Sequence, residues 1–128
     1  MKGFVLVIDD DLDIRGMLQD WLNAMGFDGV AARSGYHGLA LLSALISIGC
    51  PIDGILLRLE MPRADGITML EKLKEHFAGI PVIMMVSVPD AARMEAALQK
   101  GAQDVILRPI DRALLQEKCL RHFKPASS

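Results

Sequence analysis

Five polar residues follow the ends of four short apolar runs that lie far apart in the chain. They are Asp9, Asp10, Arg58, Ser87 and Arg108. Paired carboxylates are oxygen ligands of the kind that Mg²⁺ takes in proteins. A guanidinium group is always protonated and has no nucleophilic oxygen, so the arginines can neutralise anionic groups but cannot act as nucleophiles. If the five residues meet, two negative and two positive formal charges cancel in one cleft.

The apolar runs that precede these residues are predicted strands. They cover residues 4–8, 29–32, 55–57, 82–86 and 105–107. Segments of helical period separate them, which is the pattern of a βα unit repeated five times. The first, third and fourth runs show no polar alternation, so both faces of the sheet must be covered. The sequence therefore predicts an α/β fold with a parallel sheet, in which ligands bind outside the carboxyl ends of the strands.

Each predicted helix begins at a residue whose side chain can cap it. The caps are Asp11 or Asp13, Ser34, Asp65, Asp90 and Asp111. Most are acids, which the positive end of the helix dipole favours. For the second helix, the spacing predicts an inward face made of Leu39, Leu42, Leu45 and Ile46.

Length and composition predict one domain at 1–123, with 124–128 as a tail or the start of a linker. The net charge of −2 gives no electrostatic footprint for nucleic acid or an anionic membrane. No apolar run approaches the roughly 20 residues that span a bilayer. Cys50 and Cys119 lack CxxC spacing and suit a reducing compartment, so we expect a cytoplasmic protein.

The chain also lacks the motifs of several enzyme classes. It has no GxGxxG and no P-loop signature, so nucleotide binding by either loop is not expected. His37, His76 and His122 are scattered without metal-ligand spacing and are predicted at solvent-facing helix positions. Neither cysteine has a partner that suggests nucleophilic catalysis. The expectation is a protein that is not an enzyme, with a small flavodoxin-like enzyme as the remote alternative.

Six motifs in order give the chain a family resemblance. They lie at 7–11, 32–35, 59–62 with Asp65 and Gly66, 80–84, 101–104 and 108–109. In this order and spacing the chain resembles a receiver domain of two-component response regulators, similar to the single-domain chemotaxis receiver. The resemblance covers essentially the whole chain. It implies a flavodoxin-like sheet with strand order 2-1-3-4-5, five helices on both faces, and a role in phosphorelay signalling.

The resemblance assigns the cleft residues to a phosphorylation site. In the family, the acid pair that matches Asp9 and Asp10 holds Mg²⁺, and the phosphorylated Asp matches Arg58. Glu60 matches a residue that lines the crevice rim. The phosphoacceptor is therefore replaced by a residue that cannot be phosphorylated, and the acid pair is vestigial. We expect no metal site, with Mg²⁺ binding weak or absent, and no other cofactor.

The resemblance also assigns the switch positions. The hydroxyl residue after the fourth strand matches Val86, with Ser87 as its neighbour. The family's Lys before Pro matches Arg108, which precedes Pro109, and its rotating aromatic residue matches Val105. These departures, together with the lost acceptor, indicate that phosphoryl chemistry has been abandoned.

Two arrangements of Arg58 follow from its charge. Its guanidinium group can reach Asp9 and Asp10, for example through a bidentate contact. It would then fill the space that a Mg²⁺ ion occupies in the family. Alternatively, it can extend out of the crevice into water. Arg108 keeps the charge of Lys and can form an ordinary ion pair with an acid of the crevice.

The predicted function is that of a degenerate receiver that acts as a phosphorylation-independent interaction and regulatory module. Its protein partner or output domain would contact the face made of helix 4, strand 5 and helix 5. A homodimer could form through the same face. Two interpretations remain open for Val88, Met94, Leu107 and Leu115, which either belong to that face or are buried in the core. The alternative is regulation by a small anion that Arg58 and Arg108 bind in the crevice.

Overall fold

A computed structural model gives the structure of the chain and describes residues 3–62 and 65–123. Within these residues the strands are β1 (Phe4–Ile8), β2 (Asp28–Ala32), β3 (Ile52–Arg58), β4 (Val82–Val86) and β5 (Asp104–Leu107). They pair in parallel in the order β2-β1-β3-β4-β5, as the resemblance implied. The expected tail at 124–128 lies outside the described residues.

The third strand begins three residues earlier than the sequence predicted. Ile52 pairs with Phe4, and Gly54 pairs with Val5 after a register shift. Asp and Gly are poor strand formers, so the apolar pattern began only at Ile55. A Cβ on Gly54 would lie 2.2 Å from the Phe123 ring, which shows that the ring packs directly on this backbone. The additional residues of the strand are those that pair with the start of β1.

The helices are α1 (Leu12–Ala24), α2 (Gly35–Ser47), α3 (Gly66–His76), α4 (Ala91–Gln99) and α5 (Arg112–His122). The predicted capping residues are confirmed, because each side chain accepts a hydrogen bond from a backbone N–H in the first helical turn. The choice left open for α1 is decided in favour of Asp11, which accepts from the N–H groups of Asp13 and Ile14.

Each face of the sheet carries its own apolar core. The cluster on one face includes Leu6, Ile55 and Met84, and the cluster on the other includes Val7, Leu56 and Met85. This arrangement agrees with the continuous apolar strands in the sequence. In the described residues, the structure contains no helix with the length and apolar character needed to cross a membrane.

The inward face predicted for α2 is wrong at Ile46, which is 42% exposed. The buried residues of this helix are Gly35, Gly38 and Leu42. A Cβ at Gly38 would come within 2.6 Å of a methyl group of Ile8, so the helix backbone itself approaches the sheet at that point. Because two of the three buried residues of this helix are glycines, apolar spacing alone did not locate the whole contact stripe.

Candidate functional site

The carboxyl ends of three strands bring four charged side chains together. Asp9 and Asp10 follow β1, Arg58 is the last residue of β3, and Arg108 follows β5. The sheet order puts β1 beside β3, so Arg58 lies next to the acid pair. Arg108 reaches Asp9 from the far side of β4.

Asp9 is the centre of this cluster and is fully buried. Its Oδ1 accepts a hydrogen bond from the Asp11 N–H at 2.9 Å, and its Oδ2 accepts one from Nη2 of Arg108. Arg15 donates through Nη1 to the backbone carbonyl of Asp9 at 2.8 Å. A buried carboxylate is costly unless its oxygens are paired, and here both oxygens have partners.

Arg58 contacts both members of the acid pair through one nitrogen atom. Its Nη1 lies 2.7 Å from Oδ1 of Asp10 and 3.5 Å from Oδ1 of Asp9. The side chain is only 20% exposed, so the arrangement in which it extends into water is wrong. The bidentate form is wrong as well, because one nitrogen bridges two carboxylates, and Nε is buried without a hydrogen-bond partner among the described residues.

Arg108 completes the charge balance of the cluster. Its side chain is largely buried and pairs with Asp9, while its Nε is also buried without a partner in the described part of the chain. Burial lowers the pKa of Arg108 from its ordinary value, but a guanidinium remains protonated at physiological pH. The cluster therefore holds two carboxylates and two guanidinium groups, with no net formal charge.

The donor set of this cluster does not fit a magnesium ion. Mg²⁺ requires near-octahedral coordination by oxygen atoms at close range. In this cleft the Nη1 atom of Arg58 lies against both carboxylates, so a cationic group already occupies the position between them. The described residues contain no group of three or more His, Cys, Asp or Glu side chains arranged to hold a metal.

Glu60 makes a contact that the sequence did not reveal. Its two carboxylate oxygens each accept from the Ser87 N–H at 3.0 Å, and Oε2 also accepts from the Val88 N–H at 2.8 Å. The side chain therefore joins the loop after β3 to the loop after β4. The only available signal was an acid two residues beyond the end of a strand, which does not specify a partner 27 positions away.

The other residues predicted as switch positions carry no charge. Val86 is fully buried as the last residue of β4 and offers no hydroxyl group. Val105 is half-buried and packs against the core cluster that contains Val86. Pro109 is exposed and joined to Arg108 by a cis peptide bond.

A charged cleft of about 390 Å³ opens beside the cluster. Its charged lining residues are Asp10, Arg58, Glu60, Asp65 and Arg93. Arg93 is paired with Asp65 at 2.9 Å, and Arg58 is paired with Asp10. The sequence-based alternative of an anion held by Arg58 and Arg108 needs both guanidinium groups to face a ligand. Both instead face carboxylates, which argues against that alternative.

The elements α4, β5 and α5 each expose large apolar side chains. They are Leu98 on α4, Leu107 on β5, and Leu114 and Leu120 on α5. Of the four residues left open by the sequence, Val88 and Leu107 are exposed, at 63% and 45%, Met94 is half-buried, and Leu115 is fully buried. The first two are available to a partner, and Leu115 belongs to the core.

A second ion cluster lies at the opposite end of the sheet. Asp104, the first residue of β5, accepts from Nζ of Lys118 at 2.8 Å and contacts Nε2 of His122 at 3.1 Å. The predicted solvent-facing position of His122 is therefore wrong, since its side chain is only 22% exposed. Burial alone would raise the pKa of Asp104, but hydrogen bonds from Lys118, the Val105 N–H and His122 hold it below its ordinary value.

Neither cysteine is placed for nucleophilic chemistry. Both thiols are free, and Cys119 is fully buried in the core beside the sheet. Burial raises the pKa of Cys119 to about 12, so the thiol form predominates at physiological pH.

Comparison with known proteins places this site in a family context. The family model described as the response regulator receiver domain matches residues 5–120. The DNA-binding transcriptional regulator NtrC of Proteus hauseri is 35% identical over 126 residues, which are 96% of this chain and 26% of that protein. The chain thus spans about a quarter of the length of that relative.

Solved structures have the same fold. The chemotaxis protein CheY4 of Vibrio cholerae superimposes with a TM-score of 0.86 at 20% identity, over 95% of this chain and 99% of that one. A chain from the complex of CheX, CheY, BeF3 and Mg²⁺ of Borrelia burgdorferi superimposes with a TM-score of 0.85 at 27% identity, over 93% of this chain and 87% of that one.

Proposed function

The chain belongs to the response regulator receiver domain family, and from this premise we propose that it is a receiver that regulates a partner without being phosphorylated. Receiver domains are regulatory modules of two-component signalling rather than typical enzymes. In this proposal the protein is a cytoplasmic, non-enzymatic module whose cleft is neutralised by its own side chains.

The contact between Arg58 and the acid pair is the observation that carries the proposal. Arg58 stands where the resemblance places the phosphoacceptor, and its Nη1 lies 2.7 Å from Asp10 and 3.5 Å from Asp9. A guanidinium cannot form an acyl phosphate, because it has no carboxylate oxygen. The same group takes up the negative charge that would otherwise attract Mg²⁺. One substitution thus removes both the acceptor and the reason for the metal.

The neighbouring positions support the same proposal. Val86 offers no hydroxyl to a phosphoryl group, and Arg108 is engaged by Asp9. An incoming anion would have to break a buried, charge-assisted contact to use Arg108. The cleft is therefore better suited to a fixed structural role than to transient chemistry.

The apolar face of α4, β5 and α5 is the proposed contact surface for a protein partner or an output domain. Leu98, Leu107 and Leu114 are exposed on these three elements, and the net charge of −2 does not favour nucleic acid. A homodimer through the same face is a second form of this proposal. Sedimentation at increasing protein concentration distinguishes a self-association from a contact with another protein.

The test of the proposal is exposure of the purified chain to acetyl phosphate, with and without Mg²⁺, followed by intact-mass measurement. We expect the mass to show no phosphoryl adduct. A calorimetric titration with Mg²⁺ should show no binding with a sub-millimolar dissociation constant. The matched variant is Arg58→Asp, which we expect to regain Mg²⁺ affinity yet to be phosphorylated slowly, because Val86 and Arg108 are unchanged. A phosphoryl group on the wild-type chain would refute the proposal.

A further inference from the structure

The carboxylate of Glu60 is held by two consecutive backbone N–H groups of another loop. Ser87 donates to both oxygens at 3.0 Å, and Val88 donates to Oε2 at 2.8 Å. Hydrogen bonds from backbone N–H groups to an ionised carboxylate are stronger than those between neutral groups. Consecutive N–H groups that point to one place form an anion-binding concavity. In this chain the concavity holds the chain's own side chain.

The position of this contact makes it relevant to the proposed partner face. Ser87 and Val88 follow β4 directly, and Asp90 then caps α4. The Glu60 contact thus fixes the short segment from which α4 begins. Val88 itself is exposed, so its side chain is available to a partner while its N–H is bound to Glu60.

Two ion pairs also join residues of α4 and its C-terminal cap to residues at the start of α3 and within it. Both are more exposed to solvent than the backbone contacts that Glu60 makes with Ser87. Arg93 pairs with Asp65 at 2.9 Å, with side-chain exposures of 38% and 47%. Lys100 pairs with Glu71 at 3.4 Å, with exposures of 50% and 51%. Solvent-exposed ion pairs contribute little because water screens them and side-chain entropy opposes them. Of these three contacts, the one made by Glu60 binds backbone N–H groups of the segment that leads into α4, whereas Lys100 lies at the other end of the helix.

We propose that Glu60 is a built-in ligand of the loop between β4 and α4, and that it fixes the start of α4 by filling an anion site made of the Ser87 and Val88 N–H groups. A regulatory role of the Glu60 contact rests on the proposed function, since a receiver domain without a phosphoacceptor needs another way to set the position of α4. The site would take a small oxyanion, of which inorganic phosphate is the probe, once the carboxylate is removed.

The first experiment measures amide hydrogen exchange at Ser87 and Val88 in the full chain. The variants are Glu60→Gln and Glu60→Ala, and the controls are Glu95→Gln and Glu95→Ala. Glu95 is an exposed residue of α4 whose carboxylate contacts only Gln99, at 3.4 Å, among the described hydrogen bonds. We expect both N–H groups to exchange about tenfold faster, or more, in the Glu60 variants, because a charge-assisted bond is lost. The controls should match the wild type.

Glu60→Gln protects this experiment against a failure to fold, because it keeps the shape and one acceptor oxygen while removing the charge. Exchange in the core strand β4 serves as the internal reference for global stability. Exchange rates at Ser87 and Val88 that stay within about twofold of wild type in both Glu60 variants would overturn the proposal, since local protection would then not depend on the carboxylate.

The second experiment titrates inorganic phosphate into the wild type and Glu60→Ala and follows the same two amide resonances. We expect phosphate-dependent shifts in Glu60→Ala only. Equal shifts in both proteins, or shifts in neither, would also overturn the proposal. The two proposals fail by different results. Phosphorylation of the wild-type chain would refute the proposed function, whereas unchanged exchange in the Glu60 variants would refute only the proposal that Glu60 is a built-in ligand.

Discussion

Asp9 and Asp104 each contact two basic side chains, at opposite ends of the same sheet. Asp9 faces Arg58 and Arg108, is fully buried, and lies at the carboxyl edge of the strands. Asp104 faces Lys118 and His122 and is partly open to water at the amino edge. Each cluster places a carboxylate between two basic side chains, but the central carboxylates differ in their exposure to solvent. A carboxylate that water cannot reach depends more strongly on its partners than a carboxylate that is partly exposed.

The partners also differ in chemical type. The Asp9 cluster pairs carboxylates with guanidinium groups, which are protonated at physiological pH. The Asp104 cluster pairs its carboxylate with a lysine ammonium and an imidazole ring. The buried cluster is therefore suited to permanent neutralisation of a cleft, and the partly exposed one is a modest contribution to stability.

The largest expected effect comes from Asp9→Asn. Removing the central carboxylate leaves Arg108 buried without its partner and weakens the support of Arg58, which breaks a buried charge network at a cost of about 3–5 kcal/mol. Urea unfolding measures this loss. Asp104→Asn is the matched control at the other cluster. A similar loss for the two variants would show that burial does not distinguish the clusters.

The next effect comes from Arg58→Met, which removes one cation and keeps much of the side-chain volume. We expect a loss of about 1–3 kcal/mol, because Asp10 is partly exposed and can be hydrated while Asp9 keeps Arg108. Thermal unfolding with calorimetry measures the change. A gain in stability would mean that the desolvation of Arg58 outweighs its contacts, as occurs for some buried ion pairs.

A smaller effect is expected for Asp104→Asn, at most about 1 kcal/mol, since water screens this cluster. The pKa of Asp104 is held below its ordinary value, so the unfolded chain takes up the proton more readily than the folded chain. The contribution is therefore present above the titration range of an unfolded Asp and is lost as the pH falls through the folded pKa. Unfolding curves of the wild type and variant should converge in acid; a constant gap at all pH values would contradict this reasoning.

The smallest effect is expected at the exposed pair of Lys100 and Glu71. Glu71→Gln should change the free energy of unfolding by less than about 0.5 kcal/mol, with a further decrease of that effect at high salt. Urea unfolding at two ionic strengths provides the measurement. An effect as large as that of Asp104→Asn would show that the ties between α3 and α4 are not ranked by exposure.

Much of the fold could be predicted because its signals are local. The continuous apolar runs gave the strands, and the side chains of Ser34, Asp90 and Asp111 gave the helix starts. Ile46 was placed incorrectly because the buried stripe of α2 runs through Gly35 and Gly38 as well as Leu42, and apolar spacing does not register glycines. The early part of β3 was missed because it contains Asp53 and Gly54, which are poor strand formers, and its strand character comes from pairing with β1.

The candidate site was predictable in its membership but not in its contacts. Parallel strands end at one edge, so residues that follow them must converge, and this reasoning brought Arg58 and Arg108 to Asp9. It could not show that one nitrogen of Arg58 would bridge two carboxylates or that Glu60 would bind the next loop. Those details depend on distances between separate loops, which no residue pattern encodes.

The sequence by itself determined the alternation of strands and helices, the caps, and the presence of a cation at position 58 at the end of a strand, because each of these depends on a residue type and its near neighbours. The tertiary structure decided that Asp9 is buried between two guanidinium groups and that the Glu60 carboxylate reaches Ser87 and Val88. The physical reason is the separation of the interacting residues along the chain. Hydrogen bonds between residues 27 to 99 positions apart form only where packing of the whole sheet brings the loops together.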